Sequence, residues 1–130
     1  LTGKWHQAAS NGVKSKVTWK KIGDGRDAIV GRWKNEDGTR YTEVVGWHPA
    51  TQELVSTAYG TNGAYWRFRA SNVTATQFQG KMVERRSNGE TAVGVLTVTR
   101  INDELFKSRF VGTSGTNEKI TIESTFEYDD

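Results

Sequence analysis

The sequence predicts an all-β protein, a single up-and-down antiparallel barrel of about eight to ten strands. Three observations carry this. Turn signals recur at short intervals along the chain. The segments between them alternate apolar and polar residues with a period of two. The composition is that of pleated sheets closed by tight turns, with 14 Gly against one Pro, and 5 Trp, 4 Tyr and 5 Phe in 130 residues.

The turn signals are Ser10-Asn11-Gly12, Gly23-Asp24-Gly25, Asp37-Gly38, Thr61-Asn62-Gly63, Asn88-Gly89, Asn102-Asp103 and Thr113-Ser114-Gly115. Asn-Gly and Asp-Gly tolerate the positive φ that hairpins demand. Between the turns, Val13, Val17 and Trp19 share one face while Lys14, Lys16, Thr18 and Lys20 share the other. Trp66 and Phe68 oppose Tyr65, Arg67 and Arg69, and Ile120, Ile122, Ser124 and Phe126 oppose Lys119, Thr121, Glu123 and Glu127. Each is the pattern of a strand with one face buried and one wet. Strands are expected near 3–9, 13–21, 27–34, 40–47, 53–59, 64–70, 73–86, 91–101, 104–111 and 118–128. No linker interrupts them, so residues 1–130 read as one domain. A meander of this length must close or split; a two-sheet sandwich would need long crossing connections, which the sequence lacks, and a closed barrel of this size can enclose one small ligand.

Composition excludes several chemistries. There is no Cys, which removes disulfides, thiolate nucleophiles and thiolate metal sites. His6 and His48 are the two histidines, too few for a zinc centre with three His ligands in one chain. No cofactor and no tightly bound metal is expected. No apolar run approaches the roughly 20 residues of a membrane helix. The chain starts at Leu1 with no charged and apolar leader pattern, and nothing in the sequence assigns a compartment or an oligomeric state. Basic residues interleave with aromatics at Trp19-Lys20-Lys21, Trp33-Lys34 and Trp66-Arg67-Phe68-Arg69, as in single-strand nucleic-acid binders. Alternation in any sheet gives the same pattern, however, and the net charge is only +3. A nucleic-acid partner therefore ranks third.

Gly3-Lys4-Trp5 resembles the G-x-W signature of calycin barrels, the lipocalins and fatty-acid-binding proteins among them. Gly46-Trp47-His48-Pro49-Ala50-Thr51 is similar to the G-W-D-P-x-T segment of small bacterial lipocalin-like domains, and Thr97 to Ile101 to their late T-x-T-R-I. The resemblance implies a lipocalin-like barrel whose Trp5 plugs the base and packs against a basic side chain, here Arg100, through a cation–π contact. The haem-binding members of the group carry a ligating His near the C-terminus, whereas this chain has none beyond His48.

Candidate site residues follow from the strand faces. Trp19, Trp33, Trp47 and Trp66 are expected to line an interior that holds a small apolar or aromatic molecule, with Tyr41, Phe68, Phe78, Phe110 and Phe126 completing the wall. Tyr41, Glu43, Val45 and Trp47 share one strand face, so an inward Trp47 brings Glu43 inward. A carboxylate there needs a partner. It either pairs with Arg100 or faces the ligand, where desolvation raises a carboxyl pKa. In the other phase of the same strand Glu43 is solvated. Glu84 carries the same ambiguity, nearer the rim. No G-x-S-x-G, H-E-x-x-H or phosphate-loop pattern is present, so no catalytic set is assigned. The remaining candidates for acid–base work are Glu43 and the loop residue His48, which would make the barrel a cyclase or isomerase. The first reading is binding of a small, largely apolar ligand inside the barrel.

Overall fold

The computed structural model describes residues 2–23 and 28–129. The expected turn at Gly23-Asp24-Gly25 and the strand start at 27 fall, from position 24 on, outside the described residues. The alternating segments form ten strands: β1 (Gly3–Ala9), β2 (Lys14–Lys21), β3 (Ala28–Asn35), β4 (Arg40–His48), β5 (Glu53–Gly60), β6 (Tyr65–Ala70), β7 (Gln77–Arg85), β8 (Thr91–Asn102), β9 (Leu105–Ser114) and β10 (Lys119–Tyr128). Each pairs antiparallel with the next, and β10 returns to pair with β1, so the sheet closes into the up-and-down barrel that the alternation predicts.

The largest boundary correction is at β7, expected to start near 73. Thr74 holds that segment in a turn instead. Its Oγ1 accepts from the backbone N–H of Thr76 at 3.3 Å and of Gln77 at 3.0 Å, and donates to the Gln77 carbonyl at 3.1 Å. A Thr side chain that satisfies nearby backbone groups competes with the ladder. His48, read as a turn residue, is the last residue of β4.

Register carries one interior face around the barrel. Trp5 pairs with Val17, Val17 with Trp33, and Trp33 with Tyr41. At the lower end, where β1 starts and β10 finishes, Trp5, Val17, Trp19, Phe106 and Phe126 form the buried core, with Ile29, Trp33 and Val98 packed on it. The Trp5 ring centroid lies 5.1 Å from Phe106, 5.3 Å from Tyr128 and 6.4 Å from Trp19, tilted or edge-on, the arrangements that aromatic quadrupoles favour. Its Nε1 donates to the Thr2 carbonyl at 3.0 Å. The expected partner Arg100 is elsewhere: its side chain is about half exposed and pairs with Asp103, three residues on. A short-range ion pair in the β8–β9 turn holds the guanidinium, and aromatic rings take the place it was to fill beside the indole.

Two facing glycines shape the opposite wall. Gly94 on β8 pairs with Gly112 on β9. A Cβ on Gly94 would lie 2.3 Å from the Val111 carbonyl oxygen, and one on Gly112 would lie 2.4 Å from that of Val93. The two strands approach more closely here than side chains permit, as at tight bends of barrels.

Candidate functional site

The interior encloses a cavity of about 1180 Å³. Its lining extends to Asn11, Asp37 and Asn88 in the turns of the upper end, so that volume includes the opening there, and to Thr74–Gln77 at the lower end. Pockets for single drug-sized ligands are about 300–1,000 Å³. The strand alternation puts Trp19, Trp33, Tyr41, Glu43, Trp47, Trp66, Phe68, Phe78, Phe110 and Phe126 all on this lining. Trp19, Phe68, Phe110 and Phe126 are buried, whereas Trp33, Tyr41, Trp47, Trp66 and Phe78 keep partial exposure.

The indoles form a connected series. Trp19 meets Trp33 edge-on with ring centroids 5.6 Å apart, and Trp33 meets Trp66 at 5.3 Å. Tyr41 lies against Trp66 at 4.8 Å with a 40° tilt. Phe68 and Phe78 make a separate pair at 5.9 Å. Each contact crosses strands, so the series is fixed by register and not by any single hairpin.

The series surrounds a carboxylate. Glu43 is buried, and its Oε1 accepts from Trp19 Nε1 and from Trp33 Nε1, both at 2.9 Å. Its Oε2 accepts from Ser56 Oγ at 2.5 Å, and that hydroxyl accepts from Trp66 Nε1 at 3.0 Å. Every neighbour donates, which suits the acceptor-only character of an ionised carboxylate. Glu43 is therefore inward, but Arg100 is not its partner: two indole N–H groups and a serine hydroxyl meet the need for polar contacts, and a third indole supports the hydroxyl. Sequence reading missed Ser56 and Gly31, the glycine that makes room for Trp19. The signal for Ser56 was its place between Leu54 and Ala58 on an inward face.

A second polar group lies nearer the upper end. Glu84 lines the cavity and pairs with Arg86 at 3.4 Å, and Arg86 also reaches Glu90 at 3.7 Å. Burial pushes the half-buried Tyr41 hydroxyl above its ordinary pKa, the Glu84 charge adds to this, and Arg86 partly opposes it. Asp37 Oδ1 accepts from the Thr39 backbone N–H at 2.9 Å, and this bond lowers the carboxyl pKa. Gln7 Nε2 donates to Ser124 Oγ at 3.1 Å, and Ser15 Oγ donates to Asn35 Oδ1 at 2.5 Å. No buried side-chain nitrogen or oxygen among the described residues lacks a partner.

Neither histidine faces the cavity. His48 is exposed on the outer face, because Glu43, Val45 and Trp47 take the inward phase and leave the next position outside. It is not placed for acid–base work beside Glu43. His6 is on the outside of β1, 3.0 Å from Asp129. Among the described residues no group of three or more His, Asp or Glu gathers as a metal site, and no helix is long and apolar enough to cross a membrane.

No protein-family model matches the chain, and no curated protein matches it. Among solved structures the chain is similar to a redesigned beta barrel, b11L5F_LGL, with a TM-score of 0.42 at 11% identity, covering 100% of this chain and 92% of that one. It is also similar to a redesigned beta barrel, mFAP1, bound to DFHBI, with a TM-score of 0.41 at 13% identity, covering 98% of this chain and 94% of that one.

Proposed function

We propose that this chain is a calycin-like barrel that binds one small, largely apolar molecule in its interior. The observation that carries the reading is the cavity of about 1180 Å³ walled by partly exposed aromatic rings. Trp33, Tyr41, Trp47, Trp66 and Phe78 offer flat apolar surface, and burying it against a ligand yields roughly 25 cal/mol per Å². Tyr41, Glu84 and Arg86 supply the few polar contacts that orient such a ligand.

Glu43 favours binding over turnover. Its oxygens already accept from Trp19, Trp33 and Ser56, so a proton-transfer role would require breaking that set. The test is titration of the intrinsic tryptophan fluorescence with a panel of neutral apolar and aromatic dyes. Saturable quenching or a spectral shift at micromolar dye, little changed by salt, is the expected result, because apolar burial is not screened. A panel without response, together with single-stranded DNA binding that weakens steeply with salt, would replace this reading with the surface module.

A further inference from the structure

We propose that the ligand of this cavity is an amine or other organic cation with an aromatic or aliphatic body, and not a fatty acid or another anion. The proposal rests on the small-ligand reading and names the class of that ligand. Its basis is a separation of charge between the two faces of the barrel wall. The chain as a whole carries 18 basic and 15 acidic residues, a formal charge of +3. The cavity lining has the opposite sign. It carries Glu43 beside Trp19, and at its upper end Asp37 and Glu84 against Arg86 alone. At the lower end it carries Asp103 and Glu104 against Arg100. No lysine of the described chain lines the cavity. The lysines stand outside, and Lys16, Lys34 and Arg40 follow one another in register across β2, β3 and β4.

Both guanidinium groups on the lining are already engaged. Arg86 is held between Glu84 at 3.4 Å and Glu90 at 3.7 Å, and Arg100 is held by Asp103. An anionic head group entering the barrel would have to displace a carboxylate from one of them while facing the remaining carboxylates. For a cation the sign is favourable: beyond the pairs Glu84–Arg86 and Asp103–Arg100 the lining still carries the carboxylates of Asp37, Glu43 and Glu104. The net field of the lining attracts it, and charges interact more strongly in a partly desolvated interior than in water. Trp33, Trp66 and Tyr41 line the cavity, and a cation over an aromatic face is attracted by the ring quadrupole. The upward shift of the Tyr41 hydroxyl agrees: after burial, its largest cause is the Glu84 charge.

The experiment uses three probes with one skeleton, 4-phenylbutylamine, 4-phenylbutan-1-ol and 4-phenylbutanoate. Each competes at pH 7 and 0.15 M salt with a neutral dye from the panel above. The expected order of affinity is amine, alcohol, acid, with the amine at least about tenfold tighter than the acid. Glu84→Gln and Asp37→Asn, which keep side-chain shape, should each narrow that gap. An acid that binds as well as the amine overturns the proposal. So does an alcohol that matches the amine, or a bound dye that none of the three displaces; in those cases apolar binding stands and the charge preference falls. A chain that takes up neither dye nor probes refutes the small-ligand reading, and the proposal with it.

Discussion

The Trp19 indole lies over Gly31, its register partner on the next strand: a Cβ at Gly31 would sit 2.6 Å from Trp19 Nε1 and 2.8 Å from Glu43 Oε1. One hydrogen atom at position 31 is therefore what lets the indole reach the carboxylate. Gly31→Ala should force the ring or the carboxylate aside and destabilise the barrel by about 1–3 kcal/mol, the usual cost of overpacking. Urea unfolding checks this, and a midpoint equal to wild type at the same slope would refute the close approach.

Glu43→Gln tests the carboxylate network. An amide carries one acceptor oxygen and one NH₂ donor. With the oxygen toward Trp19 and Trp33, the NH₂ faces Ser56 Oγ, which already accepts from Trp66. With the amide reversed, the NH₂ faces two indole N–H donors. A cost of about 1–3 kcal/mol is expected from leaving a buried donor poorly matched. The control is Glu123→Gln on the outer face, where the pair with Arg109 is exposed and the change should stay within about 0.5 kcal/mol. Equal effects of the two substitutions would contradict the network.

Trp5→Ala removes the ring that joins Trp19, Phe106 and Tyr128 at the lower end. A loss of about 3–5 kcal/mol is expected for a buried Trp truncated in a packed core. By contrast Arg100→Ala should be nearly silent, because its side chain is about half exposed and its pair with Asp103 is exposed as well. If Arg100→Ala matches Trp5→Ala in a denaturation series, the cation–π arrangement implied by the family resemblance is right after all.

The barrel was legible in the sequence because period-two alternation fixes inward and outward faces within each strand, as at Trp66 and Phe68 against Arg67 and Arg69. Closure then carries the phase of one strand to the next, which is why the aromatic lining followed so directly. Partners across strands were less legible. Whether Glu43 meets Arg100 or Ser56 depends on the hairpin registers, and those depend on turn details such as the Thr74 cap that delays β7. Arg100 shows the same limit. Alternation puts it on the lining, but an aspartate three residues away decides where its guanidinium goes.

Tyr41 supplies a prediction in pH. Its pKa is raised in the folded chain, chiefly by burial and then by Glu84. A group whose folded pKa lies above its unfolded value stabilises fully below the unfolded value, about 10 for Tyr, and that stabilisation is lost as pH rises through the folded value. Stability should therefore fall with alkalinity above about pH 10. Phenolate absorbance should show a late-titrating component, and Tyr41→Phe should abolish it. A Tyr41→Phe titration that superimposes on wild type would place the late phenol elsewhere.

The pairing of β1 with β10 has a consequence for how the chain reaches its folded state. Trp5 is in register with Tyr128, so the seam joins segments separated by nearly the whole sequence. The other nine ladders join strands that are neighbours in sequence. The seam cannot form until the hairpins have curled far enough to bring its two strands together, and closing so long a loop carries an entropic cost before any seam contact repays it. Refolding should then be slow for a chain of this size, on the millisecond-to-second scale of non-local β topologies, with the quenching of Trp5 by its neighbours among the last signals to settle.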